Sequence, residues 1–527
     1  MTPRQRWTLV ATVIGSGSVF LDGTVVNLAL PSIGRELPST LFGVLEGQTY
    51  VVSGYLAILA ALLIIAGALS DHYGRRRVYA IGLASFAVAS VLCGLAPTLE
   101  WLVVFRLLQG AAGALLVPGA LSIISQTFEA GPERGRAYGI WAAATSGLVL
   151  LGPLLGGLIV DGVGWRFAFL INVPVLAFAL WVTLRHVAES RDTTARRFDW
   201  LGSVVAALAV GGLSFGLIRG AEHEWQDTIA WVAIGIGLVA LVAFPVLMAT
   251  RKDPLVPLSL FRSRAFATIN LATFFIYGGL YVTLSYQGIL LQNVLGYTAL
   301  GAGAVGLPMG LCLTLLSTRI GAAAGRLGAR RFLVGGPLLM ATGLLWYTRL
   351  PVDSTPWQAS LSDPASLIPP VDVLVDVVPS ILLFGVGIAC VVAPLTNTLM
   401  GSIPGRFSGL GSAINNAIAR VGQPLLGAVI FIAISATFYA SLASLAPELD
   451  VDSPQVRSEF SPLNPPKGAA TPDEVAAANQ ASIDAFHLAM FVGAGLFLIG
   501  SAVSWFGLRD EWANRAVEAA EAPAAAA

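Results

Sequence analysis

The stretch GALSDHYGRRR at residues 67–77 decides the fold, because it joins two long apolar runs through a turn of a few residues. Both runs can cross a bilayer as helices, so the turn must lie at a water interface. Its arginines, Arg75–Arg77, place that interface on the cytoplasmic side. Asp71 can cap the next helix, and Gly67 allows helices to approach closely. We therefore interpret the stretch, with Gly74 at its turn, as a latch between helices; the alternative is a loop that only obeys the insertion rule.

The composition indicates a membrane protein throughout. Of 527 residues, 56% are hydrophobic and 11% are charged, and the mean hydropathy is +0.77. A soluble chain of this length carries about a quarter charged residues, so little of this one is left for a soluble domain. The net charge is zero, which gives no reason to expect a nucleic-acid partner.

The apolar runs predict an all-α polytopic protein with fourteen spans. Most of the 30 basic residues fall in loops that this count assigns to the cytoplasm, and an even count puts both termini there. The predicted spans lie near residues 7–30, 47–69, 78–96, 101–126, 137–160, 165–184, 200–218, 227–249, 266–291, 300–318, 331–349, 374–397, 408–436 and 481–507.

An internal repeat divides the chain. GAAAGRLGARR at 321–331 resembles the 67–77 stretch, and both follow the second span of a six-span set if spans seven and eight are an insertion. Two such halves with a substrate site between them are a transporter architecture. The predicted domains are a six-helix bundle at 1–190, two inserted helices at 191–260, a second six-helix bundle at 261–515 and a disordered tail at 516–527.

Two long loops are predicted outside the membrane, at 350–373 and 437–480. Both are rich in Pro, Ser and acidic residues, which is typical of a solvated linker. Within the second loop, Thr471-Pro472-Asp473-Glu474 combines a capping-box pattern with proline at the first helical position. This pattern predicts a short external helix before the last span.

Asp22 is the deepest carboxylate in the predicted spans. It lies about 23 Å along its helix at 1.5 Å per residue, near or slightly beyond mid-membrane. A charge at that depth is costly and is usually functional, so Asp22 is predicted to carry a proton or a cation. The alternative is a permanently paired structural carboxylate.

Two arginines also lie within spans. Arg106, in RLLQGAAGALLVPGA, is the predicted partner of Asp22, because Gly110 and Gly113 let another helix pass close by. An arginine that only stabilises the bundle is the alternative. Arg420, in GSAINNAIARVGQP, belongs to the most polar span of the second half, whose polar groups line a pathway or bond neighbouring helices.

The fifth span, SGLVLLGPLLGGLIVDG, carries Gly152, Pro153, Gly156 and Gly157, which weaken or bend a helix and remove bulk from one face. This G-P-x-x-G-G pattern resembles the antiporter signature of drug:proton exporters in the major facilitator superfamily. The 67–77 loop and RLLQGAAGA resemble two further motifs of that superfamily. LDGTVVNLALPSI, WRFAFLINVP and INNAIARVGQPLLG resemble its fourteen-span EmrB/QacA-like subfamily.

This resemblance implies the major facilitator fold and alternating access driven by inward proton flow. It makes Asp22 and Arg106 the proton-coupling pair, and Asp71, Arg75 and Arg76 part of the cytoplasmic latch. The proline and glycines of the fifth span become the bending helix of export. Multication exporters of this type carry further membrane acids that are absent here, so neutral or monocationic amphiphiles are the expected substrates. The residues expected along the substrate pathway are Asn27, Tyr55, Gln109, Tyr277, Tyr281, Gln287, Asn415, Asn416 and Arg420. For the aromatic residues of the ninth span, a core-packing or lipid-facing stripe is the alternative.

The sequence therefore predicts a proton-coupled exporter of drugs, dyes or antibiotics in the cytoplasmic membrane, acting as a monomer and without a cofactor. A dedicated exporter of one metabolite, antibiotic or lipid is the first alternative, and a transport-inactive sensor is the second. An enzyme is the least favoured class, because the four histidines have no metal-binding spacing and no nucleophile stands beside a base.

Overall fold

The computed structural model describes residues 1–128, 132–190, 199–252, 254–403, 408–468 and 470–508, and its regular structure there is helical. The tail predicted at 516–527 lies outside these residues. The first half contains seven helices: α1 (Pro3–Glu36), α2 (Val44–Tyr73), α3 (Arg75–Gly94), α4 (Leu99–Thr127), α5 (Pro132–Val163), α6 (Phe167–Leu170) and α7 (Asn172–His186). Helices α6 and α7 together occupy the predicted sixth span.

Ten helices follow the first half. The inserted pair is α8 (Trp200–Glu222) and α9 (Thr228–Thr250). The second half contains α10 (Arg264–Asn293), α11 (Ala299–Ala304), α12 (Leu307–Leu327), α13 (Ala329–Tyr347), α14 (Val378–Gly401), α15 (Ser408–Leu445), α16 (Pro454–Glu459) and α17 (Pro472–Gly507). Helices α11 and α12 share the predicted tenth span.

Twelve helical segments of the described part are long and apolar enough to cross a membrane. They include every predicted span except the fifth and the eleventh, which correspond to α5 and α13. Helix α13 begins with the pair Arg330 and Arg331, which lowers its mean hydropathy. The all-helical membrane fold is confirmed, and the structure is compatible with fourteen spans, a count that stays a prediction.

The internal repeat has the same backbone geometry in both copies. Gly74 ends α2 and begins α3 with φ of 108°, and Gly328 ends α12 and begins α13 with φ of 89°. Residues with a side chain rarely adopt positive φ, so both turns favour glycine. The matching turns give each half the same hairpin between its second and third spans.

The helices define two ends of the molecule. At one, which we call the terminal end, α1 begins and α17 ends. There, Arg4 Nε donates to the His186 carbonyl at 3.1 Å, and Arg264 Nε donates to the Gly507 carbonyl at 3.0 Å. The opposite end, which we call the distal end, carries the two long loops.

The first distal loop is largely exposed, as predicted for a solvated linker, whereas the second loop is anchored in the core, so the prediction is wrong for the second loop. Phe460 and Leu463 are buried, and the Tyr439 hydroxyl donates to the Phe460 carbonyl at 3.0 Å. The first loop is also ordered by hydrogen bonds, since Trp357 Nε1 donates to the Ser366 carbonyl at 2.9 Å. Composition indicated polar loops but did not reveal the few apolar residues that anchor the second loop.

The start of the last helix follows the predicted capping box. Thr471 accepts a hydrogen bond from the backbone N–H of Glu474, and the Glu474 side chain accepts one from the backbone N–H of Thr471. A separate short external helix is nevertheless wrong, because α17 runs without a break to Gly507. No glycine or proline interrupts the sequence between the predicted helix and the span.

The inserted helices attach to the molecule unequally. Helix α8 packs against α2 of the first half and α15 of the second, so it spans the boundary between them. Helix α9 packs on α8 and leaves most of its large apolar side chains exposed, including Val239 and Val242. Such a surface suits contact with lipid.

Candidate functional site

Asp22 of α1 and Arg106 of α4 form an ion pair in the interior of the first half. Asp22 Oδ2 lies 2.5 Å from Arg106 Nη1, and each residue is only 1% exposed. A buried pair is stable only if its remaining donors and acceptors are also satisfied. The neighbouring side chains therefore decide what the pair can do.

Amide side chains complete the shell of the Asp22 carboxylate. Gln109 Nε2 and Asn172 Nδ2 each donate to Asp22 Oδ1 at 3.1 Å. Gln109 Nε2 also lies 2.9 Å from the hydroxyl of Ser90, a buried residue of α3. Four helices, α1, α3, α4 and α7, thus hold one carboxylate.

Arg106 has acceptors that do not depend on Asp22. Its Nε donates to the Val51 carbonyl at 3.0 Å, and its Nη1 donates to Gln109 Oε1 at 2.7 Å. The guanidinium also lies 4.0 Å from the centroid of the Tyr55 ring, a cation–π distance. Because these contacts are neutral, Arg106 stays anchored when the charge on Asp22 changes.

Gly110 lets α2 come close enough to supply the Val51 carbonyl. A Cβ atom at Gly110 would lie 2.5 Å from the backbone oxygen of Tyr55, which no real side chain tolerates. The prediction of a close helix approach at this point is confirmed. The glycine that follows Arg106 by one turn therefore belongs to the geometry of the ion pair.

Sequence reasoning missed two members of this network, Asn172 and Ser90. Asn172 lies in the quoted segment WRFAFLINVP and is the first residue of α7. Its signal was a neutral amide within an otherwise apolar run, which is weaker than a charge. Ser90 gives no usable signal, because serine is common in helices of this kind.

The fifth-span motif packs α5 against two other helices. A Cβ atom at Gly156 would lie 3.1 Å from the Cα of Val25 in α1. A Cβ atom at Gly157 would lie 2.5 Å from the Ala299 carbonyl oxygen of α11, and Pro153 lies directly against Gly303 of α11. Gly152 faces the Thr24 side chain of α1 in the same way. The motif therefore joins the first half to the second.

Asp161 reinforces that junction at the distal end. Its Oδ1 accepts from the backbone N–H of Ala299 at 3.1 Å, and its Oδ2 accepts from that of Leu300 at 2.7 Å. A carboxylate at the start of a helix satisfies free N–H groups and interacts favourably with the helix dipole. One half thus caps a helix of the other.

The 67–77 loop differs from its predicted interactions. A Cβ atom at Gly67 would make only an ordinary contact, 3.8 Å from the Cβ of Pro118, so close packing does not require this glycine in the observed conformation. The Asp71 side chain lies outside the described residues. At the N-terminus of α3, Glu189 accepts from the backbone N–H groups of Arg76 and Arg77 at 3.1 and 3.2 Å, and the predicted Asp71 cap stays a prediction.

Arg75 and Glu189 show why the sequence did not reveal this cap. The backbone N–H of Arg75 donates to the Ser190 carbonyl at 2.9 Å, so the chain after α7 covers the start of α3. More than one hundred residues separate the two segments. A single sequence gives no sign of such a distant contact.

The predicted pathway residues lie in separate parts of the molecule. Tyr55 and Gln109 belong to the ion-pair network, and Asn415 Nδ2 bonds Asn270 Oδ1 at 3.1 Å and Thr273 Oγ1 at 2.9 Å within the second half. Asn27 crosses between the halves, since its Oδ1 accepts from the Ser285 hydroxyl at 3.1 Å.

The remaining predicted residues differ in exposure. Tyr277 and Tyr281 are half-buried with ring centroids 6.3 Å apart, whereas Gln287 is buried and Asn416 is exposed. Asn416 bonds the Ser412 carbonyl of its own helix at 3.0 Å. These four side chains do not converge on one point as a group.

Arg420 lies at the boundary between the halves without a carboxylate. It is 8% exposed, and its guanidinium lies 5.6 Å from the centroid of the Phe20 ring in α1. Among the described residues, no acidic side chain lies within ion-pair distance of it. Phe20 is two residues from Asp22 in α1, so this arginine contacts the helix that carries the buried ion pair.

The space between the halves is small near their distal contacts. A cavity of about 20 Å³ is lined by Gln48 and Ser53 of α2, Ser285 and Tyr286 of α10, and Gln423 of α15, with apolar neighbours. Such a volume holds about one water molecule. The halves are therefore in contact here, with a polar lining that the sequence did not single out.

A bundle of long apolar helices with a buried carboxylate–arginine pair is typical of multi-pass membrane transporters. The chain belongs to the Major Facilitator Superfamily, whose family model matches residues 12–427. It is 32% identical to the multidrug resistance protein Stp of Mycobacterium tuberculosis, over 96% of this chain and 92% of that protein. It is 30% identical to the tetracenomycin C resistance and export protein of Streptomyces glaucescens, over 99% and 95%.

A solved structure supports the fold. A bacterial homologue of the human lysosomal transporter Spinster, in an inward-facing and unoccupied conformation, has a TM-score of 0.60 and 17% identity. The alignment covers 97% of this chain and 99% of that one. At this level of identity the similarity concerns the fold alone.

Proposed function

We propose that this chain exports amphipathic small molecules across the cytoplasmic membrane in exchange for protons, and that Asp22 carries the proton. The observation that carries the proposal is the buried Asp22–Arg106 pair with its amide donors. Ionisable groups inside a membrane domain are costly and are typically retained for transport. The names of the two relatives support drug or antibiotic efflux.

The neutral anchors of Arg106 support a carrier role for Asp22. When Asp22 takes up a proton, Arg106 keeps the Val51 carbonyl and the Gln109 amide oxygen as acceptors. The N–H groups of the arginine therefore keep hydrogen-bond acceptors, and the loss of about 1–3 kcal/mol for an unsatisfied buried donor is avoided. One proton moving inward down about 100 mV supplies about 2.3 kcal/mol, enough for tens-fold accumulation of substrate.

Residues 1–190 and 261–515 form the two halves that alternate, with 191–260 inserted between them. The terminal end faces the cytoplasm, and the observed conformation is closed at the distal end. The Asp161 cap on α11 and the packing of Gly157 support this closure. Export requires these contacts to separate while the 67–77 loop closes the cytoplasmic side. One chain contains both halves, so a monomer is the functional unit.

The substrate site lies between Phe20 of the first half and Arg420 of the second. An arginine keeps its charge and has five N–H donors, so it favours a partner with acceptor oxygens. An aromatic ring beside it favours a planar or apolar body. The substrate class is therefore a neutral or electron-rich amphiphile rather than a cation. Asn27 and Ser285 bond across the same boundary and open with it.

The direct test is proton release from lipid vesicles when lipophilic dyes and drugs are added. Substrate-triggered proton movement is expected for the wild type and is expected to disappear in Asp22→Asn. Asp376→Asn is the matched control, because Asp376 lies at the distal end and its Oδ2 accepts from the Ser354 hydroxyl at 2.8 Å. Equal proton signals from wild type and Asp22→Asn would remove Asp22 from the mechanism.

A dedicated exporter of one compound is the second candidate, and the name of the Streptomyces glaucescens relative favours it. The two candidates differ in the range of compounds that they transport. A broad exporter releases protons with many unrelated dyes and drugs, whereas a dedicated exporter responds to one chemical series. Testing the panel as matched series, each varying one functional group, distinguishes them.

A further inference from the structure

Two buried glutamates meet where the inserted helix α8 ends against the start of α2. Glu46 is fully buried and Glu222 is 7% exposed. Both carboxylates converge on Gly43. The Gly43 N–H donates to Glu46 Oε2 at 2.9 Å, and a Cβ atom at Gly43 would overlap Glu222 Oε1. The site is therefore built from both the first half and the insertion.

Glu46 is well supplied with partners. Besides Gly43, its Oε1 accepts from the Tyr50 hydroxyl at 3.0 Å and lies 3.8 Å from Arg219 Nη1. Arg219 is itself committed elsewhere. Its Nε lies 2.5 Å from Asp227 Oδ2, and its Nη1 donates to the Leu41 carbonyl at 3.1 Å. One arginine thus faces two carboxylates before Glu222 is considered.

The other cation of this region is also engaged. Arg457 of α16 forms an ion pair with Glu224, lies 3.9 Å from Asp452, and stands 4.0 Å from the centroid of the Tyr439 ring. His223 adds no charge near neutral pH, because burial and then the nearby Arg219 lower its pKa. The charge of Arg457 reaches Glu222, but among the described residues neither Arg219 nor Arg457 lies within ion-pair distance of it.

Glu222 itself lacks a partner at one oxygen. Among the described residues, nothing forms a hydrogen bond with its buried Oε2. An ionised carboxylate that is buried, unpaired and beside a second carboxylate is strongly unfavourable. A proton on Glu222 removes the charge and the repulsion from Glu46 together.

We propose that Glu222 is a second proton-binding site, separate from Asp22, and that its proton holds α8 against α2. When Glu222 loses its proton, its negative charge repels that of Glu46, and the contact between α8 and α2 loosens. The ionisable groups that face the site are Glu46 and Tyr50 of α2, Arg219 of α8, His223, Glu224 and Asp227 of the following turn, Tyr439 of α15 and Arg457 of α16. The inserted helices thereby provide a pH-dependent contact, because the packing of α8 against α2 depends on the pH at the distal end.

The test compares wild type, Glu222→Gln and Glu36→Gln as purified protein in lipid nanodiscs. Infrared spectra are expected to show a protonated carboxyl band that is lost in Glu222→Gln. Thermal unfolding provides the second readout. The folded state binds this proton more tightly than the unfolded state, so the wild-type Tm is expected to fall as pH rises through the titration of Glu222. Glu222→Gln is expected to flatten that fall, because the amide cannot ionise.

Glu36→Gln is the control, because Glu36 is an exposed carboxylate at the distal end and pairs with Arg166 rather than with a group of the Glu222 site. It is expected to keep both the carboxyl band and the fall in Tm. An unchanged band and an unchanged fall in Glu222→Gln would overturn the proposal. Failure of Glu222→Gln to fold would overturn it as well, because glutamine has the shape and neutrality of the protonated acid. A rise in wild-type Tm with added sodium at fixed pH, absent in Glu222→Gln, would identify a metal cation instead.

Discussion

Each half of this transporter buries an arginine, but among the described residues only Arg106 of the first half has a carboxylate partner. Arg106 is 1% exposed and lies 2.5 Å from Asp22, whereas Arg420 is 8% exposed and its guanidinium lies 5.6 Å from the centroid of the Phe20 ring. The backbone repeat at Gly74 and Gly328 shows that the halves share a fold, so the difference concerns chemistry. It supports our proposal that proton coupling lies in the first half and that the second half contributes a charge to the substrate.

The largest expected effect comes from breaking the first pair. Arg106→Gln leaves Asp22 buried without its cation, and we expect the free energy of unfolding to fall by about 3–5 kcal/mol. Adding Asp22→Asn removes the orphaned charge, so the double variant is expected to recover part of the loss. Thermal unfolding of the two single variants and the double variant measures this. Losses that simply add in the double variant would contradict a pair that acts as a unit.

Arg420→Gln is expected to have the opposite effect on stability. It removes an unpaired buried charge, so the free energy of unfolding should stay constant or rise by about 1 kcal/mol. Transport of amphiphiles with a carboxylate or carbonyl group should fall by about tenfold, the equivalent of about 1.4 kcal/mol. Uptake into inside-out vesicles of a carboxylate probe and its matched amine measures the change.

Arg326→Gln serves as the control for Arg420→Gln, because Arg326 is an exposed arginine of the same half. It should leave the preference between the two probes unchanged. A strongly destabilised Arg420→Gln would instead show that Arg420 has a structural role. Loss of transport for both probes alike would argue against a role in substrate selection.

The contrast between the arginines also shows how far the sequence could go. Asp22 and Arg106 could be recognised because charges are rare in apolar runs, and the glycines beside Arg106 predicted the close helix approach. The neutral partners of Asp22 and the distant cap of α3 could not be recognised from the sequence. Asn172 lies in another helix, and Glu189 is contributed by a segment far along the chain. The packing of Phe460 and Leu463 was hidden for the same reason, since it depends on tertiary contacts.

A smaller effect is expected from the neutral shell of the pair. Asn172→Ala removes one donor from Asp22 Oδ1 while Gln109 still donates to that atom. Hydrogen bonds to charged groups contribute about 1.5–3 kcal/mol, so we expect the free energy of unfolding to fall by an amount near the lower value. Substrate-triggered proton exchange should become slower but should not be abolished. Asn416→Ala is the control, because Asn416 is exposed. Complete loss of exchange in Asn172→Ala would assign Asn172 a larger role than positioning.

The smallest expected effect compares equivalent glycines of the repeated loop. A Cβ atom at Gly67 would lie 3.8 Å from the Cβ of Pro118, whereas one at Gly321 would lie 3.2 Å from the Cβ of Ala393. Alanine favours a helix by up to about 1 kcal/mol over glycine, so Gly67→Ala should stabilise the protein slightly. Gly321→Ala should gain less, because its neighbour must shift. Thermal unfolding of both variants measures the difference.

Transport by the same two variants tests what the stability data cannot. If no other conformation packs the helices more tightly at Gly67, Gly67→Ala should transport like the wild type. If the 67–77 loop closes the cytoplasmic side in the other conformation, helices must approach there more tightly than they do now, and an added methyl group would interfere. Slower transport with raised stability in Gly67→Ala, but not in Gly321→Ala, would therefore place the latch in the first half alone.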